Sequence, residues 1–143
     1  MKKVLFALLV SLIFFSSCEK SMKEKLIGKW YGNTIDRLNN KIPLNIKGTI
    51  EYKEDNTFIA KDTMDCLYKH DFIRLGGEVN NHFIIEETGT WSIKDNFLTV
   101  TIQESNFDIY KNLSSSSKII ELTDSICIDE DHNHKQWTSK RIE

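Results

Sequence analysis

The sequence predicts an all-β protein: a small antiparallel up-and-down β-barrel of about eight or nine strands. Three observations lead to this fold class. Apolar residues recur at every second position over most of the chain, which is typical of strands with one buried face. Short polar turns separate these stretches, and no convincing helical pattern follows residue 27. Consecutive strands joined by short turns favour an up-and-down barrel, because closure removes the exposed edges of the sheet.

Length and charge bound the kind of protein this is. With 143 residues, 40% hydrophobic and 28% charged, the chain predicts one globular domain that is large enough to bury its own core. Lys2 and Lys3 lie in the predicted signal, so the mature chain keeps 17 of the 19 basic residues against 21 acidic ones, a net charge of −4. Because phosphate binding needs clustered positive charge, this balance argues against nucleic acid as a partner.

The first residues predict an export signal followed by a tether. A positive Met1–Lys3 segment precedes an apolar run to Phe15, which is too short to span a bilayer. Phe15-Ser16-Ser17-Cys18 resembles the lipobox of bacterial lipoproteins, although Leu is usual in place of Phe15. The resemblance implies cleavage before Cys18 and acylation of it, which would anchor the chain in the cell envelope. Glu19 favours the outer membrane of a Gram-negative bacterium; the alternative is an ordinary signal peptide with a chance cysteine.

This interpretation divides the chain into a signal peptide over residues 1–17, a lipidated cysteine and tether over 18–25, and a barrel over 26–143. Trp30 and Tyr31 begin the first predicted strand, and residues 37–44, which hold the only proline, are expected to form a loop. The second and third strands are predicted at residues 49–53 and 57–69, around a turn.

The next strand, residues 82–93, follows a stretch broken by paired glycines and asparagines. We expect a β-bulge near residues 86–88, because only a register shift brings the apolar side chains of this strand to one face. Residues 98–102 alternate cleanly after a turn at 95–96, and Phe107, Ile109 and Leu113 mark a further strand.

Four serines, Ser114 to Ser117, are expected to form a hairpin tip rather than a linker. Ile120 with Leu122, and Ile126 with Ile128, mark strands around a turn at residues 123–125. After another turn, residues 136–142 predict the last strand.

Four features resemble bacterial lipocalin-like lipoproteins when they are taken in order. They are Gly28-Lys29-Trp30, Gly89-Thr90-Trp91, the Leu122–Ile126 turn, and a last strand with Lys140-Arg141. The resemblance covers residues 26–143. It implies that Trp30 packs inside the closed end of the barrel and that Arg141 lies across it, a favourable contact between a guanidinium and an indole. The chain lacks the long mouth loops and C-terminal helix of full lipocalins, which argues against a roomy cavity.

Nine side chains are predicted to face inward and are the candidates for lining a ligand pocket: Phe58, Met64, Tyr68, Phe83, Ile85, Trp91, Leu98, Val100 and Ile102. An eight-stranded interior is just wide enough either to be filled by side chains or to hold one small ligand. Of these two outcomes, the sequence favours the filled interior.

No pattern in the sequence predicts catalysis or a cofactor. There is no Gly-x-Ser-x-Gly, phosphate-binding loop or His-Glu-x-x-His motif, so we expect a protein that is not an enzyme. His132 and His134 lie in a predicted turn without a fixed third ligand, whereas zinc needs three or four ligands, and no metal site is predicted. Alternation assigns Cys66 and Cys127 to opposite faces, which argues against a disulfide between them.

Two functions remain open at this stage. The leading hypothesis is an envelope-anchored barrel that binds a small apolar or amphipathic ligand. The alternative is a protein-binding lipoprotein, such as an inhibitor, an immunity protein or an accessory subunit of an outer-membrane assembly. In that case the barrel would be filled, and loops at residues 36–45, 74–81 and 129–135 would contact the partner. An empty interior on the order of a few hundred Å³ favours the ligand.

Overall fold

The structure is a computed structural model, and it describes residues 21–38 and 41–143. Its elements are α1 (Met22–Leu26), β1 (Gly28–Leu38), β2 (Ile42–Tyr52), β3 (Thr57–Cys66), β4 (Ile73–Leu75), β5 (Glu78–Asn80), β6 (His82–Lys94), β7 (Phe97–Ser105), β8 (Ser114–Leu122), β9 (Ile126–Glu130) and β10 (Gln136–Arg141). The predicted signal and the acylation of Cys18 lie outside the described residues. Within the described part of the chain, no helix is long and apolar enough to cross a membrane.

Eight of the described strands form one closed antiparallel barrel in the order β1-β10-β9-β8-β7-β6-β3-β2, with β2 pairing back onto β1. Strands that follow one another along the chain are neighbours in the barrel, apart from the β4–β5 hairpin, which is inserted between β3 and β6. The predicted up-and-down antiparallel barrel is therefore confirmed. We call the end where β1 begins the lower end and the opposite end the upper end.

The predicted loop at residues 37–44 is wrong. β1 continues to Leu38, and β2 begins at Ile42, with Arg37 paired to Pro43 and Asp36 to Leu44. Pro43 is tolerated close to the upper end of β2, because its carbonyl still accepts a hydrogen bond from the Leu67 amide at 3.0 Å. The prediction failed because the sequence of this stretch is polar and contains proline, whereas the long hairpin is stabilised by pairing with β3.

The serine run is also a strand rather than a hairpin tip. Ser114 to Ser117 form the first half of β8 and pair with Leu98 to Thr101 of β7. Hydroxyl groups bond across this pair, with Thr101 Oγ1 and Ser114 Oγ 3.0 Å apart. The segment expected to be a strand, residues 107–113, is instead a connection with a single 3₁₀ turn.

The bulge in β6 is confirmed, and it lies between Thr88 and Gly89, next to the predicted position. On either side of it, Phe83, Ile85 and Trp91 are all buried. The register shift thus keeps the apolar side chains of a 13-residue strand on the inner face of the barrel.

Two apolar clusters form the core. The lower cluster contains Leu26, Trp30, Tyr52, Phe58, Ala60, Trp91, Leu98, Ile119 and Cys127. The upper cluster contains Leu44, Met64, Ile73, Leu75, Phe83, Ile85 and Phe107. Helix α1 contributes Leu26 to the lower cluster, while the β4–β5 hairpin brings Ile73 and Leu75 to the upper one. Each of these larger side chains contributes roughly 1.5–3 kcal/mol through burial.

Candidate functional site

A cavity of about 550 Å³ extends from the lower cluster through the interior of the barrel. The expectation of a filled interior is therefore wrong. Five small residues occupy the lining where larger side chains would have filled the space: Gly32, Gly48, Ala60, Ser115 and Ser117. The cavity has the size of typical small-molecule sites.

The cavity reaches the surface beside the seam between the first and last barrel strands. β1 and β10 pair only over Trp30–Gly32, although β1 continues to Leu38. Above this short ladder, the exposed residues Asn33 and Gln136 belong to the cavity lining. The seam therefore provides an opening in the wall at this point.

An ion pair spans the upper part of this opening. Lys135 Nζ lies 2.7 Å from Asp36 Oδ1, and the same ammonium lies 4.1 Å from the centroid of the Trp137 ring. Burial raises the pKa of Asp36, but hydrogen bonds from Lys135 and the Arg37 amide outweigh this effect and hold the pKa below its ordinary value. The carboxylate is therefore ionised at neutral pH, as the pair with Lys135 requires.

Three carboxyl groups line the cavity: Asp62 on β3, Glu87 on β6 and Asp129 on β9. Burial raises the pKa of Asp62 to about 6. Burial, reinforced by the charge of Asp62, raises the pKa of Glu87 to about 7. Burial also raises the pKa of Asp129, against a hydrogen bond from Ser117. Water solvates these groups less well than it would at the surface, so holding their negative charge costs free energy.

The structure gives Asp62 and Glu87 no partner within the described part of the chain. Among the described residues, neither carboxylate accepts a hydrogen bond, and neither is within ion-pair distance of a Lys, Arg or His side chain. Both side chains are half-buried, so water in the cavity takes the place of a protein partner. These two carboxyl groups therefore retain their capacity for a hydrogen bond or an ion pair.

Two glycines shape the wall next to Asp62. Gly48 pairs with Gly32 on one side and with Asp62 on the other. A Cβ atom on Gly48 would lie 1.9 Å from Asp62 Oδ1, so only glycine leaves the carboxylate in its place. A Cβ on Gly32 would meet no atom closer than Ser139 Oγ at 3.4 Å, which is ordinary contact. A larger residue at position 32 would thus occupy the cavity without disturbing the wall.

The closed lower end carries the contact that the resemblance implies. The Arg141 guanidinium lies 4.4 Å from the centroid of the Trp30 ring, and the two residues are direct partners in the β1–β10 ladder. Arg141 Nε donates to the Asp124 carbonyl and Nη1 to the Ile27 carbonyl, both at 2.7 Å, while Nη2 donates to the Lys25 carbonyl. One side chain thus connects β10, the β8–β9 turn and the end of α1.

Four of the nine predicted lining residues border the cavity: Phe58, Leu98, Val100 and Ile102. Met64, Phe83 and Ile85 are buried in the upper cluster instead, and Trp91 is buried in the lower cluster. The prediction that Tyr68 faces inward is wrong, since β3 ends at Cys66 and Tyr68 is 59% exposed.

Sequence reasoning missed the polar part of the lining. Asp62 left a signal, because it is the one charged residue at an inward position of an otherwise apolar alternation in β3. Glu87 and Asp129 left no such signal in the sequence. The bulge shifts the strand register near Glu87, and the sequence pattern assigned Asp129 to a turn. In the structure Asp129 is the inward residue that follows Cys127 in β9.

Cys66 and Cys127 are both free. The reasoning from opposite faces was wrong, because both residues face inward. Cys127 lies in the lower cluster and lines the cavity, whereas Cys66 packs against the upper cluster. The two thiols are therefore kept apart by the length of the barrel. Burial raises the pKa of Cys127 to about 12, which keeps its thiol protonated.

The two histidines considered as metal ligands lie in the β9–β10 turn and are exposed. His134 Nδ1 is 3.0 Å from Glu130 Oε1, and His132 Nε2 is 3.0 Å from Asn133 Nδ2. In residues 21–38 and 41–143, no group of three or more His, Cys, Asp or Glu side chains is arranged to hold a metal ion.

Comparison with family models and with curated protein sequences finds no match for this chain. Among solved structures, it is similar to an uncharacterized protein from Bacteroides eggerthii DSM 20697, with a TM-score of 0.49. It is also similar to a lipocalin-like protein from Bacteroides uniformis ATCC 8492, with a TM-score of 0.47. Each is 16% identical, and each match covers 82% of this chain and 99% of the other. What the cavity holds is therefore inferred from its own residues.

Proposed function

We propose that this protein is a non-enzymatic, envelope-anchored barrel that binds a small amphipathic molecule in its interior. The observation that carries the proposal is the cavity of about 550 Å³. A filled barrel would have favoured a protein partner, and an open one favours a ligand. The lining combines apolar side chains of β7 with polar groups of β3, β6, β8 and β9, which suits a molecule that has both characters.

The route to the cavity supports binding rather than a sealed void. The opening beside the β1–β10 seam lies between the short ladder at Gly32 and the ion pair of Asp36 with Lys135. This pair is formed by two partly exposed side chains and not by the strand backbone. A ligand can therefore widen this opening without disrupting the strand pairing that closes the barrel.

Anchoring in the envelope is part of the proposal and rests on Cys18 and the apolar segment before it. Metabolic labelling of the native host with a clickable fatty acid tests it. Label is expected on the wild-type chain and is expected to be lost from the Cys18→Ala chain. Label retained by Cys18→Ala would rule out this anchor.

A second candidate is the protein-binding function, and one observation favours it. The segment that connects β3 to β6 exposes four large apolar side chains: Leu67, Tyr68, Phe72 and Val79, which are 45% to 59% exposed. Exposed apolar groups close together in sequence are typical of interaction surfaces. Residues 36–38 and 42–45 of the loop proposed earlier no longer count toward this function, because they are paired in β1 and β2.

Native mass spectrometry of the Cys18→Ser chain, purified gently from an envelope extract of its own host, tests the binding proposal. We expect a reproducible small-molecule adduct. Gly32→Leu is expected to abolish it, because the new side chain enters the cavity at a position with room for Cβ. The control is Lys47→Leu, which adds the same side chain at an exposed position of the adjacent strand.

Thermal unfolding checks that both variants are folded: each is expected to unfold cooperatively, as the parent chain does. An adduct that survives Gly32→Leu would show that the cavity is not its site. A bare chain, or one that carries a second polypeptide, would overturn the ligand-binding proposal in favour of the protein-binding one.

A further inference from the structure

The charges on the cavity wall are all of one sign. Asp62, Glu87 and Asp129 line the cavity, and none of the Lys, Arg or His residues that the structure describes does. Two cations near its ends, Lys135 and Arg141, are already engaged. Lys135 pairs with Asp36, and Arg141 donates to backbone carbonyls below the floor. The described part of the chain therefore supplies no counter-ion to the interior carboxyl groups.

This arrangement selects among ligands by charge. Carboxylates that are partly removed from water and lack a partner gain free energy from a cation that pairs with them. The same groups repel an anion such as a fatty acid, which would have to bring a further negative charge into the cavity. A neutral ligand can donate a hydrogen bond to a carboxylate but does not neutralise its charge.

Aromatic side chains add to this preference. The lining includes Trp30, Tyr52, Phe58 and Trp137, whose ring faces attract cations. Two of these rings already stack with a cation, Trp30 with Arg141 and Trp137 with Lys135. The apolar part of a ligand has its own surface on β7, formed by Leu98, Val100 and Ile102.

We propose that the ligand is an amphipathic organic cation, an amine or a quaternary ammonium compound. Its positive group lies among Asp62, Glu87 and Asp129, and its apolar part lies against the inner face of β7. This inference rests on the proposed function, which it deepens by naming the chemical class of the ligand.

A series of three probes with the same chain and different head groups tests the inference: octylamine, 1-octanol and octanoate. Each is titrated calorimetrically into the Cys18→Ser chain at pH 7.5. We expect octylamine to bind at least about tenfold more tightly than octanol, which corresponds to one charge-assisted interaction, and octanoate to bind more weakly than octanol.

The Asp62→Asn/Glu87→Gln double variant removes two of the charges and keeps the size of the side chains. It is expected to weaken octylamine binding at least about tenfold and to change octanol binding less than about twofold. Poorly solvated charges destabilise the native state, and this variant removes two of them. Its melting temperature is therefore expected to be no lower than that of the parent chain. The matched control is Glu54→Gln/Glu121→Gln, which removes two exposed charges and should leave octylamine binding unchanged.

The possible outcomes distinguish failure of the cation inference from failure of the proposed ligand-binding function. Equal or tighter binding of octanol or octanoate would overturn the cation inference and leave cavity binding in place. Octylamine binding that survives the double variant, or Gly32→Leu, would place the amine elsewhere and overturn the inference. If no probe binds, the cation inference falls, while the adduct sought from the envelope extract decides the proposed function separately.

Discussion

Replacing Arg141 with alanine is expected to destabilise the barrel more than any other change in β10. Arg141 is the last residue of that strand, and its guanidinium makes three kinds of contact at the closed end. It stacks on Trp30 at 4.4 Å, donates to the carbonyls of Ile27 and Lys25 at the end of α1, and donates to the Asp124 carbonyl in the β8–β9 turn. Alanine would leave three carbonyl acceptors without this donor.

The size of the effect follows from these contacts. A hydrogen bond from a charged donor contributes about 1.5–3 kcal/mol, and a partly desolvated cation–π contact contributes about 0.5–2 kcal/mol. These contributions do not add fully, because water reaches the half-exposed lower end and solvates part of what is lost. We therefore expect the free energy of unfolding to fall by about 3–4 kcal/mol, a large part of the 5–15 kcal/mol that is typical of a domain.

Equilibrium urea unfolding, followed by circular dichroism, measures this difference. Lys140→Ala is the matched control, since Lys140 is the exposed neighbour on the outer face of the same strand, and it should change the free energy by no more than about 0.5 kcal/mol. Arg141→Lys should fall between the two, because an ammonium keeps the charge but lacks the planar fork. A loss below about 1 kcal/mol for Arg141→Ala, or an equal loss for Lys140→Ala, would refute the reasoning.

Two further predictions concern the cavity. Burial raises the pKa of Asp62 to about 6 in the native state. The native state therefore binds the Asp62 proton more tightly than the unfolded state does. As a consequence, the free energy of unfolding falls as the pH rises from about 4 to about 7. After allowance for water in the cavity, Asp62→Asn should remove about 1–2 kcal/mol of this fall, measured by urea unfolding at pH 4.5 and pH 7.5; an unchanged fall would contradict the burial of Asp62. In the native chain at pH 8, Cys127 should react with iodoacetamide at least about tenfold more slowly than the half-buried Cys66, because its thiol is buried and its pKa is raised to about 12. Peptide mapping gives both rates, and equal rates would show that the lower cluster opens readily.

Sequence reasoning succeeded where apolar residues alternate along a strand, and it failed where a strand has no such alternation. The bulge in β6 was predictable, because Phe83, Ile85 and Trp91 share a face only if the register shifts. The serine strand was not, because Ser114 to Ser117 carry no apolar alternation and pair through backbone and hydroxyl groups with β7. The first half of β2 was missed for a similar reason: pairing on both sides overrides its weak local preference.

The sequence by itself determined that this chain is an antiparallel barrel and located turns such as those at residues 95–96 and 123–125, because alternation and turn residues are local properties. It also pointed to the contact of Trp30 with Arg141, through resemblance. Only the tertiary structure decided which face of β9 lies inside. Ile126 and Ile128 alternate as well as Cys127 and Asp129 do, and closure of the barrel selects the second pair.

The cavity, too, is a property of the tertiary structure alone. Its volume depends on small residues contributed by four different strands, and its charge depends on three carboxyl groups that come from β3, β6 and β9. The three carboxyl groups are far apart in sequence, and only Asp62 stands out in the pattern of its own strand. They form one acidic space only because the closed sheet brings their inner faces together.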